Sequence, residues 1–183
     1  MFKFCPSCAS GKIKFDDINV FRCPDCGFIY YHNTAAATGC LIRVPEPDGD
    51  RFVFSVRNRE PGKGLLDMPG GFVDPGEGAL ECLYRELQEE LGWTPPIPEG
   101  ANLTDVFKLY ASFSNIYPYK GIKYNTCDMY FTVCAPGLTQ EDLHIEQDEI
   151  SEIRLLKPDE IDLGQFAFES TKRAVKAWLA NLD

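Results

Sequence analysis

"GGFVDPGEGALECLYRELQEELGW" runs from Gly70 to Trp93, and its reading decides the fold. It carries five glutamates and one aspartate against a single arginine. Its apolar residues repeat with a helical period. At 100° per residue, Leu80, Leu83, Tyr84, Leu87 and Leu91 gather on one side within about 100°. The pattern predicts an amphipathic helix over 79–91, stopped by Gly92 and the prolines of "GWTPPIPEG". Glu86 and Glu90 are four apart, so their side chains stack on one face beside the leucines, with Glu89 in reach of Glu86. Close like charges cost a bare helix a few tenths of a kcal/mol per pair, roughly. A divalent cation between them reverses that sign.

An isolated "ELQEEL" is ordinarily a solvated acidic face. The flanks say more. Gly70 and Gly71 give the preceding turn backbone freedom. Glu77 stands near the helix start, where an anion is favourable. Arg85 can pair with an acidic neighbour and tie the loop to the helix. Hard oxygen ligands on a rigid scaffold suit Mg²⁺ or Mn²⁺, which keep positions open for substrate phosphates.

These residues resemble the Nudix box, G-x5-E-x7-R-E-U-x-E-E-x-G-U with U bulky and apolar. The matching positions are Gly71, Glu77, Arg85, Glu86, Leu87, Glu89, Glu90, Gly92 and Trp93. The lead-in "RNREPGKGLLDMPGGFVDPGE" is also similar to the family's, and the resemblance spans residues 34–183. It implies an α/β fold, an α/β/α sandwich around a mixed sheet. It also implies metal-dependent hydrolysis of the pyrophosphate bond in a nucleoside diphosphate linked to a moiety X, with ADP-ribose or an NADH-like dinucleotide foremost. It assigns Glu86, Glu89 and Glu90 to Mg²⁺ or Mn²⁺, with Gly71 and Glu149 as further metal-binding positions. Catalytic roles fall to Glu86, Glu89 and Arg85. The general base stays open between Glu89, Glu86 and an acid from another loop, such as Glu149 in "DEISEI".

Outward from the box, "TAAATGCLIRV" (34–44) and "RFVFSVRN" (51–58) read as strands joined by the turn "EPDGD". "REPGKGLLDMPGG" reads as a loop. Strands are predicted at 105–113 and 127–134, and "EISEIRLLKPDEI" as a strand running into a short helix. A terminal helix is predicted over 166–182. Arg57 and Arg59, after the second strand, are candidates to hold a phosphate. "ASFSNIYPYKGIKYNTCD" reads as loop-rich, with Tyr117 and Tyr119 as its candidate ligand-facing aromatics, since aromatic faces stack on nucleobases.

Residues 1–33 read as a separate small domain. Cys5-x2-Cys8 and Cys23-x2-Cys26 form two knuckles 14 residues apart. Four thiolates on two tight turns fit tetrahedral Zn²⁺, structural because no position is left open. Such a ribbon ahead of a Nudix domain resembles the NADH pyrophosphatase branch, yet that branch's Ser-Gln-Pro-Trp-Pro-Phe-Pro signature is replaced here. Cys40, Cys82, Cys127 and Cys134 lack paired spacing and read as core or free thiols. His32 and His144 are isolated.

The 183 residues are 44% hydrophobic and 25% charged, with formal net charge −10. Those are globular values. The negative field works against nucleic acid and anionic membrane as partners. No apolar run reaches the roughly 18 residues a spanning helix needs, and "MFKFCPSC" has no signal-like apolar core. The expectation is a cytoplasmic, reducing setting. A homodimer is compatible with the resemblance, the ribbon offering one surface. The alternatives are a triphosphate pyrophosphohydrolase clearing damaged nucleotides and, from another class, a non-catalytic nucleotide-sensing or interaction module.

Overall fold

The structure is a computed structural model and describes residues 2–181. The chain divides into two compact units, Met1–Thr34 and Ala35–Asp183.

The first unit is a three-stranded antiparallel sheet of β1 (Lys14–Phe15), β2 (Val20–Arg22) and β3 (Ile29–Tyr31), in that order. Its buried apolar side chains are few: Val20 and Phe21, with Cys5 and Cys23. Phe2, Phe15 and Tyr30 pack around Phe21 at centroid separations of 5.0, 4.6 and 6.3 Å. Each cysteine pair closes a tight turn, Ala9 N–H donating to Cys5 O at 2.8 Å and Gly27 N–H to Cys23 O at 3.0 Å. Ala9 and Gly27 both take positive φ there.

The second unit is built on a six-stranded mixed sheet. β4 (Ala35–Val44) and β5 (Arg51–Arg57) form an antiparallel hairpin, as the sequence predicts. β4 also pairs in parallel with β8 (Ile122–Cys134), which is antiparallel to β7 (Lys108–Tyr119). β9 (Ile150–Leu156) covers the far edge of β5. The helix α1 (Ala79–Leu91) has the predicted bounds. It lays Leu83, Leu87 and Leu91, all fully buried, against Cys40, Ile42, Val53, Phe131 and Val133 on one sheet face. Burial of each of these leucines contributes about 1.5–3 kcal/mol. On the other face, α3 (Glu169–Leu179) packs Ala174 and Val175 against Leu41, Phe52, Phe54 and Tyr130. A mixed sheet between helices is thus observed, with the short α2 (Leu103–Val106) ahead of β7.

The pairing of β4 with β5 is confined to Ile42–Val44 and Arg51–Val53. Beyond it the strands splay, and the chain from β6 (Leu66–Asp67) onward fills the gap. β6 pairs with β5 at Ser55 and Val56. The following loop then runs along β4: Cys40 N–H donates to Pro69 O and Thr38 N–H to Gly71 O, both at 2.8 Å. This wedge delivers the glycine pair to Glu86 and Glu90 of α1 and opens a cleft at that end of the sheet.

Three sequence expectations need correction. The stretch 111–128 is not loop-rich: it is most of a long hairpin turning at Lys120 and Gly121. Asn, Pro, Gly and Ser mask the alternation by which Phe113, Asn115 and Tyr117 are half-buried and Ser112, Ser114 and Ile116 exposed. β6 lies inside the segment read as a loop. The terminal helix begins at Glu169 because Phe166 bridges Leu66 and Ala167 N–H donates to Leu66 O at 2.9 Å. Leu182, the end of the predicted helix, lies outside the described residues. No helix among the described residues is long and apolar enough to cross a membrane.

Candidate active site

The cleft encloses about 530 Å³, within the range of ligand pockets. Eight carboxylates and three guanidiniums line it. Among the predicted site residues, Arg57, Arg59, Gly71, Arg85, Glu86, Glu89, Glu90, Tyr117 and Glu149 all line this one space. Tyr119 does not. It is exposed on the hairpin, its ring 5.1 Å from Lys120 Nζ.

Arg85 organises the helix end of the cleft. Its Nε and Nη2 clasp both oxygens of Glu77 at 2.8 and 3.0 Å, while Nη1 reaches Glu86 at 2.9 Å and Glu89 at 3.0 Å. Nη2 also donates to Phe72 O at 3.2 Å. One cation therefore ties the glycine loop to the helix. The hydrogen bonds from Arg85 hold Glu77 down at about 2, and the bond to Glu77 first, against desolvation, raises Arg85. Glu77 precedes the helix and is spent on this clasp. The helix start is capped instead by Glu81, whose Oε2 accepts from Gly78 N–H at 2.7 Å.

Glu90 has no such cation. Glu90 is half-buried, and among the described residues its one hydrogen-bond donor is Gly70 N–H at 2.9 Å. Desolvation pushes its pKa well up, only partly offset by that bond, and Glu86, Asp67 and Glu149 push the same way. Glu86 is raised too, chiefly by burial, with Arg85 opposing. Gly71 lies against Glu86 so closely that a Cβ there would overlap the carboxylate. Gly70 has φ 142°, which L side chains rarely adopt, and its α-carbon faces Thr38 O.

Arg59 pairs with Glu149 across the cleft mouth. Arg57 is turned inward. It donates to Asp67 Oδ2 at 3.1 Å and to Pro61 O at 2.7 Å, and its guanidinium lies 4.9 Å from the Phe168 ring. Its Nη2 is buried without a partner. Asp67 also accepts from Thr171 at 2.9 Å, and burial raises its pKa against the pull of Arg57. Asp67, Asp128, Thr126, Phe72 and Phe168 were missed by the sequence reading although they line the cleft. The available signal was a hydroxyl and an acidic residue at alternate positions, Thr126 and Asp128, leading into the strand run "MYFTVC".

A model of the NUDIX domain matches residues 33–179. The chain belongs to the Nudix family. Among curated relatives, this Nudix chain is 33% identical over 90 residues to the NAD-capped RNA hydrolase NudC of Chromobacterium violaceum, covering 49% of this chain and 32% of that protein. It is 33% identical over 85 residues to the ADP-ribose pyrophosphatase of Methanocaldococcus jannaschii, covering 46% of this chain and 44% of that one. The matches thus span less than half the length of these relatives. Two solved structures share the fold. The NUDIX domain of Shewanella oneidensis NrtR, complexed with ADP ribose, superposes with a TM-score of 0.64 at 15% identity, over 84% of this chain and 91% of that one. A NUDIX hydrolase from Nitrosomonas europaea gives 0.63 at 20% identity, over 98% and 91%.

The Nudix chain's two metal-binding candidates differ in kind. In the first unit, the four sulfurs of Cys5, Cys8, Cys23 and Cys26 lie within 4.8 Å of one another, with Cys5–Cys26 and Cys8–Cys23 both at 3.7 Å. A tetrahedron of 2.3 Å metal–sulfur bonds has edges of about 3.8 Å, so the cluster fits a zinc ribbon. A disulfide, at about 2.05 Å, does not describe it. The glutamates of the box do not converge this way: among the described residues, only the cysteines form a cluster of three or more ligands. Arg85 stands between Glu86 and Glu89, and Glu90 is turned to Gly70. The remaining cysteines divide. Cys40 and Cys82 are buried, and Cys127 and Cys134 are exposed. Burial moves Cys82 up to about 11, so it is no nucleophile.

Proposed function

We propose that the second unit is a divalent-metal-dependent pyrophosphohydrolase acting on a nucleoside diphosphate linked to X, with ADP-ribose or an NADH-like dinucleotide as substrate. The observation that carries this reading is the half-buried Glu90, held by one backbone N–H beside Glu86 with no guanidinium of its own. Withdrawing a carboxylate from water without a counter-charge is costly, and hard oxygen donors suit Mg²⁺ or Mn²⁺. Glu86, Glu89 and Glu90 would hold the cation, with Gly71 against Glu86 and Glu149 also lining the cleft. Bound there, it supplies charge neutralisation for the phosphates and acidifies water. Zn²⁺ on the four cysteines would be structural, stabilising a unit whose apolar core is small.

The chain's own groups account for the rest. Arg85 fixes the loop and Glu86 in place. Arg59, paired with Glu149, would meet a phosphate on leaving that carboxylate. A water oxygen bonds to one phosphorus as its bridging P–O bond breaks. The bridging oxygen departs with the second phosphate, and Glu89, Glu86 or Glu149 takes the proton lost by water. Tyr117 offers an aromatic wall to a base.

The test is a substrate panel with and without added Mg²⁺ or Mn²⁺, products separated by chromatography. ADP-ribose should give AMP and ribose 5-phosphate, and NADH two mononucleotides, only with the metal. Faster turnover of a nucleoside triphosphate would replace this reading with the triphosphatase. No turnover of any member would favour a binding module. NAD-capped RNA belongs in the panel because relatives are named for it, although net charge −10 works against an RNA chain.

A further inference from the structure

The cleft has a second half that the phosphate chemistry leaves unused. β6 pairs with β5 at Ser55 and Val56, the loop after it crosses to β4 and meets Ala37 at Phe72, and β8 follows on β4. Neighbouring strands lie about 4.8 Å apart, so the loop at Phe72, β4 and β8 together span about 10 Å. That width accommodates a nucleoside lying across the sheet. Ala37 and Gly39 keep the floor low, and both line the cleft. Above it, aromatic rings follow one another: Phe72 meets Tyr117 edge-on at 5.3 Å, Tyr117 meets Phe168 at 5.4 Å, and Phe168 carries Arg57 at 4.9 Å.

The far wall is polar and incompletely satisfied. Thr126 is 2% exposed, and its Oγ1 is buried without a hydrogen-bond partner. An unpaired buried hydroxyl is unfavourable until a partner arrives. Two residues along β8, on the same face, Asp128 is 8% exposed. Ser170 donates to its Oδ2 at 2.6 Å, and its other oxygen accepts from no group among the described residues. With Asp67 on the opposite side, this half holds two carboxylates against one guanidinium, that of Arg57, which is already tied to Asp67. The anionic part of a substrate belongs at the helix end and an uncharged, donor-bearing part belongs here.

We propose that Thr126 and Asp128 are the specificity-determining pair of the cleft, hydrogen-bonding the ribose or base of a nucleoside held beneath Tyr117 and Phe168. The inference rests on the pyrophosphohydrolase reading and adds to it: the moiety X, or the nucleotide itself, is chosen for hydrogen-bond donors rather than for charge. Inorganic pyrophosphate, which has neither ribose nor base, would leave the pair unused.

Calorimetric titration of the full chain tests it, with AMP, nicotinamide mononucleotide and inorganic pyrophosphate as probes in the presence of Mg²⁺. At least one mononucleotide should bind. Thr126→Val and Asp128→Asn should each weaken it five- to tenfold, Thr126→Ser should stay within twofold of the parent, and pyrophosphate should be unchanged within twofold throughout. Thermal melts read the folded state of each variant, and if the valine variant does not fold, Asp128→Asn carries the test. Binding of neither mononucleotide, wild-type binding by the variants, or an equal loss for pyrophosphate would overturn the pair's role. ADP-ribose turnover on the same samples separates the two ideas. A chain that binds nucleoside through Thr126 and Asp128 but hydrolyses nothing loses the reaction and keeps the subsite. A chain that hydrolyses ADP-ribose with the variants unaffected loses the subsite and keeps the reaction.

Discussion

Gly71→Ala isolates what the glycine loop does for the carboxylates. A Cβ at this position would stand 2.5 Å from Cδ and 2.8 Å from Oε2 of Glu86. Ordinary contacts begin near 3.5 Å, so Glu86 must retreat by about 1 Å. The backbone itself can accept alanine, because the positive-φ glycines include Gly70 but not Gly71. The atoms displaced are the far end of one side chain. The stability cost is therefore small: the Arg85–Glu86 contact, half-exposed on the arginine side, contributes at most about 1 kcal/mol. That lowers the melting temperature by about 2–4 °C for a chain of this size. Misplacing a positioning group by 1 Å costs on the order of 100-fold in rate, or about 2.7 kcal/mol in the barrier.

The assay is kcat/KM for ADP-ribose at saturating Mg²⁺, in four proteins: the parent, Gly71→Ala, Glu86→Ala and the double variant. Trp93 and Trp178 both lie in the second unit, so their fluorescence reports its melting alone. If Gly71 acts through Glu86, the alanine costs about 100-fold in the parent and almost nothing once Glu86 is gone, and the coupling equals the whole effect. A Gly71→Ala protein within threefold of the parent, or one that loses another 100-fold in the Glu86→Ala background, refutes the reasoning.

Glu90→Gln keeps an acceptor for Gly70 and removes the half-buried charge. Because the folded-state pKa of Glu90 is raised, the metal-free parent should lose melting temperature relative to this variant as pH rises from the ordinary carboxylate range through that raised value, and Mn²⁺ should stabilise the parent more than the variant. Arg85→Ala should abolish a different pH dependence. The stability Glu77 adds is complete above its ordinary value of 4.5 and drains as pH falls towards 2, so the gap between parent and variant in acid melts should close over that window. Cys8→Ser should cut bound zinc, read by atomic absorption, while leaving tryptophan-detected melting of the second unit unchanged. Leu87→Ala should cost about 2–5 kcal/mol in urea unfolding, as expected for a fully buried leucine.

The parts of the fold legible in the sequence are those where one local rule suffices. The bounds of α1 follow from leucine spacing and Gly92, which takes the left-handed φ of 59° at the helix end. The cysteine knuckles follow from spacing alone. β6 could not be read this way. Two residues carry no periodicity, and Leu66 and Asp67 are extended because β5 has a free edge where β4 leaves it. Similarly, Arg57 looks like a phosphate ligand when read after a strand. In the structure it is held by Asp67, ten residues on, and by Phe168, brought in from the start of α3. Long-range partners of that sort leave no mark near the residue they engage.

The density of acids in the box now has a physical reading that differs from residue to residue. One guanidinium serves Glu77, Glu86 and Glu89 at once, so the repulsion among those three is largely cancelled within the fold, and Arg85 is raised accordingly. Glu90 is outside that arrangement. It is half-buried on the turn of α1 whose Leu87 and Leu91 are in the core, and a single N–H cannot offset the desolvation of a carboxylate. Helix propensity gains nothing from a glutamate there that glutamine would not give. A half-buried charge with so little to offset it is a poor device for stability, which agrees with the metal-binding role proposed for it. The wedge of β6 and the glycine pair hold one N–H, that of Gly70, against that carboxylate, on a segment fixed to β4 by backbone hydrogen bonds rather than left to a free loop.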